Sequence, residues 1–241
     1  MHLIITGCEW AGKRTLGYEI AKWWQSQVGG EEVKPPPSIH FHDHFTVPHV
    51  VHTEGHENHK EESEKKILTL NPGLLEHFQR FQIEYHLGTG FTRGDDHWNI
   101  DFYYADAVFA PLYYGYGRPG EYGDRRQMVR HYDEEVMEVM PDCILVLMKA
   151  SPEVIRKRMR AKKSLYPERH KGSLFRERDI NYVVGRFQEE FDNSLIHQRF
   201  SIDTTSTTVD ESLEEFKTKV DHYITPKDRQ RIADHRTGNG A

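Results

Sequence analysis

The sequence predicts an α/β protein built on a doubly wound, three-layer parallel β-sheet of about five strands. The first observation is the apolar run Leu3-Ile4-Ile5, which precedes a glycine-rich turn and a segment with apolar residues at spacings of three and four. Apolar runs and helix-like segments then alternate along the chain, which is typical of βαβ units. Finally, residues 143–148 form an unbroken apolar run, as expected for a strand that a parallel sheet buries on both faces.

The glycine-rich turn has the form G-x-x-x-x-G-K, from Gly7 to Lys13. Between a strand and a helix, this pattern predicts a phosphate-binding loop, in which backbone N–H groups and the helix N-terminus bind phosphates. We expect the charge of Lys13 to serve ligand phosphates and not the core. The predicted ATP-binding residues of this segment are Gly7, Ala11, Gly12, Lys13, Arg14 and Thr15.

The residue after the lysine is Arg14, where Ser or Thr commonly binds Mg²⁺, and Thr15 follows. This G-K-x-T form resembles adenylate and guanylate kinases. The resemblance implies that Thr15 serves the phosphates and the metal, and that Mg²⁺ is held mainly through water and a carboxylate.

The composition of the chain argues against a membrane protein and against a protein stabilised by disulfides. The chain has 241 residues, 37% of them hydrophobic, and a mean hydropathy of −0.77. No run approaches the roughly 20 apolar residues of a membrane helix. Two cysteines provide no disulfide framework and fit a reducing compartment, so we expect a cytoplasmic protein without a membrane partner.

Charge is unevenly spread along a chain whose net charge is −6. Residues 156–178 hold ten lysines and arginines against two glutamates. Such a basic segment is able to bind nucleic acid, but beside a phosphate loop we favour a helical lid over polyphosphate. Arg156 and Arg160 are then the candidate arginines for the transferring phosphoryl group.

Two aspartates compete for the role of general base. Asp43 ends the predicted second strand, and Asp43-His44-Phe45 resembles the D-x-F sequence of nucleoside kinases, whose acid accepts a proton from the attacking hydroxyl. A turn aspartate is the alternative interpretation. Asp101 lies near the end of a predicted strand over 97–103 and resembles the acid of the Asp-Arg pair in thymidylate and deoxynucleoside kinases. This resemblance makes Asp101 a base or a Mg²⁺ carboxylate.

The chain differs from these kinases at Phe102, which stands where the arginine of their Asp-Arg pair is expected. Arg118, Arg125 and Arg126 are the candidate replacements.

The helix opened by Asn71-Pro72-Gly73 carries apolar residues that we assign mostly to the core. In the same kinases, the corresponding helix offers aromatic and polar side chains to the base, which implies that role for Phe78, Gln79, Phe81 and Gln82.

Downstream, the strand, the Ser151-Pro152-Glu153 turn and the arginine-bearing helix resemble the thymidylate kinase group. Thr204 follows the last strand, which resembles the strand of nucleotide kinases after which the backbone contacts adenine. We assign residues 1–225 to one phosphate-loop kinase-like domain and residues 226–241 to a loose tail, because the tail shows no apolar period.

These observations predict a Mg-ATP-dependent phosphotransferase acting on a nucleoside, a nucleoside monophosphate or a similar small molecule. The alternative is a regulatory protein that binds or hydrolyses ATP without an acceptor. A metal-binding module that uses the histidines between His40 and His59 is a third hypothesis. The sequence leaves the oligomeric state open, with a homodimer as one possibility.

Overall fold

The computed structural model describes residues 1–29, 40–43, 65–88, 95–161 and 173–238, with residues 40–43 described at the level of the backbone. All strands within these ranges are parallel. They are β1 (His2–Gly7), β2 (His40–Asp43), β3 (His97–Ile100), β4 (Ile144–Lys149) and β5 (Arg199–Asp203).

The helices within the same ranges connect these strands. They are α1 (Lys13–Val28), α2 (Pro72–Gly88), α3 (Phe102–Phe109), α4 (Arg125–Val139), α5 (Pro152–Ala161), α6 (Ile180–Asn193), α7 (Val209–Val220) and α8 (Pro226–Thr237). A π-helical turn, Ala110–Tyr114, extends α3.

Strand order explains where a ligand site is expected. Four strands in the order β3-β1-β4-β5 make the part of the sheet whose side chains are described, and the short β2 pairs with β3 at its edge. Chain order reverses at β1, which lies between β3 and β4. In open parallel sheets, ligands bind beyond the carboxyl end of the strand at such a reversal. The loop after β1 occupies that point.

Helices cover both faces of the sheet. One face carries α1 with α7 and α8 packed on it, and the other carries α3 with α4 and α6. The core strand β4 is buried from Ile144 to Met148 because apolar side chains face helices on both sides. The predicted α/β class and parallel sheet are therefore confirmed.

Helix starts follow local capping chemistry. Asp124 accepts a hydrogen bond from the backbone N–H of Arg126 at 3.0 Å and so begins α4. Thr208 and Glu211 form a capping box at the start of α7. These contacts satisfy N–H groups that have no partner in the first turn of a helix.

The segment expected to be a loose tail forms α8, and the prediction for it is wrong. Thr225 caps this helix by accepting from the N–H of Asp228 at 3.0 Å, and Pro226 occupies its first turn. Arg231 bonds Asp96 at 2.6 Å and Asp228 at 2.8 Å. Ion pairs hold this helix to the domain, and such pairs leave no apolar period in the sequence.

The third strand ends earlier than the sequence predicts. Asp101 has φ 67° and Phe102 has φ 48°, values outside the strand region, so α3 begins where the prediction continued the strand. The predicted lid falls mostly on residues 162–172, outside the described ranges. Its described ends belong to α5 and to the segment 173–178.

No helix in the described parts of the chain combines the length and the low polarity that a membrane crossing requires.

Candidate functional site

The loop after β1 has an unusual backbone geometry, with positive φ angles at three of its residues. Gly7 has φ 144° and packs so closely on the Met148 carbonyl that a Cβ would overlap it. Gly12 has φ 92° and forms the left-handed cap at the N-terminus of α1. Trp10 has φ 68°, a strained value for a bulky residue. The loop therefore holds a shape that a relaxed chain would not keep.

Lys13 is buried beneath this loop, with 7% of its surface exposed. Its ammonium donates a hydrogen bond to the Gly7 carbonyl and lies 3.0 Å from Asp101 Oδ2. The Phe187 ring centroid is 5.6 Å from the same nitrogen, close enough for a cation–π contact. Lys13 is thus part of the internal packing as well as a candidate phosphate ligand, which corrects the expectation that its charge has no role in the core.

Asp101 reaches Lys13 because β3 ends directly beside β1. Its N–H donates to the Ile5 carbonyl at 2.7 Å, which fixes the residue at the carboxyl edge of the sheet. The positive φ of Asp101 and Phe102 marks backbone strain, and such strain clusters at functional sites. Asp43 pairs with Ile100 along the backbone, so it ends β2 at the same edge. The side chain of Asp43 lies outside the described part of the structure.

A brace of hydrogen bonds joins the loop to the ends of β4 and β5. The Thr204 hydroxyl lies 2.9 Å from the Ala11 carbonyl and 3.1 Å from the Lys149 carbonyl, both within reach of its donated hydrogen. The Arg158 guanidinium donates to the carbonyl of Trp10 at 3.0 Å and to that of Thr204 at 2.7 Å. Burial lowers the pKa of Arg158, while nearby Asp203 acts in the opposite direction. Thr204 and Arg158 therefore help to hold the strained loop.

Sequence reasoning selected Arg156 and Arg160, which lie on either side of Arg158 along α5. Arg160 bonds Glu177 at 2.9 Å, and Arg156 lies 3.3 Å from the same carboxylate. Their described contacts tie α5 to the segment after the predicted lid, and their catalytic role stays a prediction. The sequence alone does not single out Arg158: it follows Ile155 by three residues, and the burial of Ile155 in the structure shows that this is the inward face of α5.

A second contact ties the loop to the end of the predicted lid. The Ser173 hydroxyl lies 3.0 Å from both carboxylate oxygens of Glu9. No pattern in the sequence indicated this pair, because the two residues are 164 positions apart.

A cluster of buried polar side chains lies between α2, α3 and α4; we call it the buried polar cluster. Its members are Glu76, Asp106, Tyr116 and Arg125, and Gln79 is buried as well, three residues after Glu76 on α2. Arg125 is 1% exposed; it donates to Asp106 at 2.6 Å and to Glu76 at 2.8 Å. The Tyr116 hydroxyl donates to Asp106 at 2.7 Å. Arg80 adds a second cation, at 2.6 Å from Glu76.

Opposite charges keep this cluster ionised. Burial alone would raise the pKa of Glu76, but hydrogen bonds from Arg80 and Arg125 hold it below its ordinary value. Burial likewise opposes the charge of Arg125, while Asp106 and Glu76 raise its pKa.

Several polar atoms of the cluster and its surroundings have no hydrogen-bond partner within the described protein. These are Nη2 of Arg125, Oε2 of Glu76, Nε2 of Gln79, and the hydroxyls of Tyr114 and Tyr132. A buried polar group without a partner costs about 1–3 kcal/mol, so proteins rarely gather several of them without a role.

Tyr114 connects the buried polar cluster with the phosphate loop. Burial raises the pKa of Tyr114, and the charges of Asp106 and Glu9 raise it further. Its ring stacks on that of Tyr116 at 6.1 Å between centroids. Tyr114 therefore lies within reach of the charge of Asp106 in the cluster and of Glu9 in the loop.

The predicted base-contacting residues of α2 differ in how far they are buried. Gln79 and Gln82 are buried, whereas Phe81 is 59% exposed and Phe78 is half-buried. The apolar residues assigned to the core include two others that face outward, Leu74 at 53% and Tyr85 at 40% exposed. The core assignment is therefore wrong for Leu74, Phe81 and Tyr85.

Of the three arginines offered as replacements for the missing family arginine, Arg125 is the buried one. Arg118 pairs with Glu121 at 3.6 Å, and Arg126 pairs with Glu189 at 3.2 Å, both on the surface. Arg14 and Thr15 lie in the first turn of α1.

The histidine-rich metal hypothesis rests mostly on residues 44–59, which fall outside the described ranges. Within those ranges, no group of three or more His, Cys, Asp and Glu side chains is arranged to hold a metal ion.

Comparison with known proteins supports the fold. No protein-family model matches the sequence, and no curated protein does either. Among solved structures, the chain is similar to the YorR protein of Bacillus subtilis in complex with phosphorylated GDP. The TM-score is 0.52 at 18% sequence identity, over 92% of this chain and 98% of YorR. This likeness shows a shared α/β fold along nearly the whole length of both chains.

Proposed function

We propose that the protein is a Mg-ATP-dependent phosphotransferase that acts on a small-molecule hydroxyl. The observation that carries this proposal is the Lys13–Asp101 pair, at 3.0 Å, at the carboxyl edge of the sheet where the loop after β1 begins. A simple nucleotide-binding domain requires the loop alone. We assign the second substrate to the buried polar cluster, because several polar atoms there have no hydrogen-bond partner within the described protein.

The residues present fit a polyphosphate. Backbone N–H groups of the loop, the N-terminus of α1 and the Lys13 ammonium supply donors and positive charge on one side of the sheet edge. Gly7 and Gly12 supply backbone angles that leave this cradle open. We propose that Lys13 exchanges part of its contact with Asp101 for ligand phosphate when ATP binds.

The carboxylate of Asp101 suits either of two roles at this place. It is able to accept a proton from an attacking hydroxyl, or to help hold Mg²⁺ together with Thr15 and water. When bound, Mg²⁺ would neutralise charge on the transferred phosphoryl group. Asp43, which ends the neighbouring strand, is the competing base. Rate enhancement would come from positioning and from preorganised charge around the phosphates.

The ligand of the structural neighbour agrees with this proposal. YorR was solved with phosphorylated GDP, and this chain shares its fold. We therefore propose that this chain also binds a nucleotide, with ATP as the first candidate.

The test is calorimetric binding of Mg-ATP, followed by ADP release with and without a panel of nucleosides and nucleoside monophosphates. We expect binding by the wild type, its loss in Lys13→Met, and its retention in Lys22→Met. Lys22 is a matched control because it lies on the same helix and pairs with Glu19 on the surface at 2.8 Å. Failure of the wild type to bind ATP would overturn the proposal. ADP release that no acceptor stimulates would favour a regulatory ATP-binding protein.

A further inference from the structure

We propose that the outward face of α2 is the surface through which two copies of this chain associate about a two-fold axis. The residues of this face are exposed or half-buried; they are Leu74, His77, Phe78, Phe81, Glu84 and Tyr85. The proposal goes beyond the proposed function and does not depend on it. It is carried by the apolar character of the face and by the spacing of its two ionisable residues.

The middle of this face is an exposed apolar row. Leu74, Phe81 and Tyr85 are 53%, 59% and 40% exposed, and the half-buried Phe78 lies between the first two. Spacings of three and four residues place these side chains on one side of the helix. The rings of Phe81 and Tyr85 pack on each other, with 6.0 Å between their centroids. Single exposed apolar residues are common on protein surfaces, whereas a contiguous apolar row marks an interaction site.

Tyr122 widens the apolar row beyond α2. It lies before the start of α4 and is 75% exposed. Its ring centroid is 6.4 Å from that of His77 and 5.2 Å from the guanidinium of Arg80. These contacts place the ring against the flank of α2. Tyrosine and phenylalanine are enriched in protein interfaces because their large, rigid side chains lose little conformational entropy when they are buried.

The ionisable residues beside the row match those of a second copy. His77 and Glu84 are exposed on the same flank of α2, about two helical turns apart. Within its own chain, His77 lies 3.8 Å from Glu76 Oε2, and its side chain stays 64% exposed. About a two-fold axis, a residue i that meets j of the other copy is matched by j meeting i.

An antiparallel pair of α2 helices uses this match twice. When the axis passes beside Phe81, midway between His77 and Glu84 along the helix, each His77 meets Glu84 of the other copy. The same arrangement brings the two Phe81 rings together at the centre, where interfaces place their aromatic anchors. Among possible occupants of this face, a second copy therefore satisfies its apolar row and its flank together.

The area of the face fits a weak dimer. Taking about 200 Å² for each large side chain, the exposed fractions given above amount to roughly 450 Å². A stable interface buries about 800 Å² on each partner. The apolar row with Tyr122 therefore supplies about half of that area, and polar residues around it would form the rim. We expect association in the micromolar range.

Sedimentation equilibrium of the full, nucleotide-free chain tests the proposal. Between about 1 and 100 µM, the mass of the wild type should rise from 28.4 kDa toward twice that value and rise no further. Phe81→Glu should weaken association about tenfold or more and leave Tm unchanged, because the side chain is exposed in the monomer. Val209→Glu is the matched control, since it places the same charge on an apolar residue that is 41% exposed on α7, across the sheet from α2.

Three results would overturn the proposal. They are a wild type that stays monomeric at the highest concentration, association that continues beyond the dimer, and a Phe81→Glu protein that dimerises as the wild type does. The first would leave the face to another protein or to another part of this chain.

A charge exchange tests the two-fold pairing itself. His77→Glu should weaken association about fivefold at low ionic strength, because it sets a carboxylate against Glu84 of the other copy. Glu84→Lys should weaken it by a similar factor. In an equimolar mixture of the two variants, the introduced carboxylate faces the introduced ammonium, and the native His77 faces the native Glu84. The mixture should therefore associate within about twofold of the wild type. A mixture that associates no better than either variant alone would contradict the pairing.

Discussion

Replacing Lys13 should destabilise the protein even when no nucleotide is present. Lys13 is 7% exposed and its nearest charge is Asp101, itself 5% exposed, at 3.0 Å. Lys13→Met keeps most of the side-chain volume and removes the charge. The buried Asp101 carboxylate then loses the ammonium that lies 3.0 Å away.

The magnitude follows from that loss. Removing one partner of a buried ion pair typically costs about 3–5 kcal/mol, and the lost contact with the Phe187 ring adds roughly 0.5–1 kcal/mol. Since methionine retains the apolar packing, we expect the loss to lie at the low end of the summed range, so that the free energy of unfolding falls by about 3.5 kcal/mol. For a domain of this size, that corresponds to a decrease of roughly 8 °C in Tm.

The assay is a double-mutant cycle in nucleotide-free protein, measured by urea unfolding. Lys13→Met/Asp101→Asn should recover at least half of the lost stability, because the buried group that loses the Lys13 ammonium is then neutral, giving a coupling energy of about 1.8 kcal/mol or more. Neither variant should bind Mg-ATP. Lys22→Met should match the wild type in both measurements. A Lys13→Met protein as stable as the wild type would refute the reasoning, and so would a double variant no more stable than the single one.

Two further predictions concern the domain outside the site. Burial would raise the pKa of Asp96, but the Arg231 hydrogen bond and the amino group of Met1 lower it to about 2. The contribution of Asp96 to the free energy of unfolding is therefore complete above the unfolded pKa of about 3.9 and is lost as pH falls through about 2. Urea unfolding should show that this free energy decreases by about 2 kcal/mol between those pH values, and Asp96→Asn should lack the decrease. Asp133→Asn should cost about 2–4 kcal/mol by thermal unfolding, since Asp133 is fully buried and one strong acceptor becomes a donor, whereas the exposed Asp192→Asn should cost less than about 0.5 kcal/mol. The groups that donate to Asp133 are the hydroxyls of Tyr103, Tyr104 and Ser194 and the N–H of Leu195.

The parts of the fold that local chemistry determines could be predicted from the sequence. The loop pattern places the start of α1 at Lys13, and the apolar run at 143–148 predicts β4, because burial on both faces requires apolar side chains throughout. Helix α8 could not be predicted in this way. Its attachment depends on pairs such as Arg231 with Asp96, 135 residues apart, and a polar sequence does not reveal such partners.

In the candidate site, too, features set by local sequence could be predicted, and features set by tertiary packing could not. Glycine spacing predicted the strand, turn and helix around Gly7–Lys13, since that geometry is local. Sequence reasoning selected Arg156 and Arg160 and missed Arg158 between them, because which arginine faces the loop depends on how α5 packs. Asp101 was selected through a resemblance to thymidylate and deoxynucleoside kinases, and its contact with Lys13 follows from the pairing of β1 with β3.

Helix α2 shows most clearly how function departs from simple patterning. A surface helix normally buries its apolar stripe and exposes its polar one. Helix α2 buries Glu76 and Gln79 and leaves Leu74, Phe81 and Tyr85 exposed at 53%, 59% and 40%. Burying carboxylate and amide groups costs stability unless partners satisfy them, and Arg80 and Arg125 both bond only Oε1 of Glu76. Oε2 of Glu76 and the amide nitrogen of Gln79 stay buried without a hydrogen-bond partner within the described protein. We propose that a ligand completes those hydrogen bonds and so offsets the cost that this helix carries.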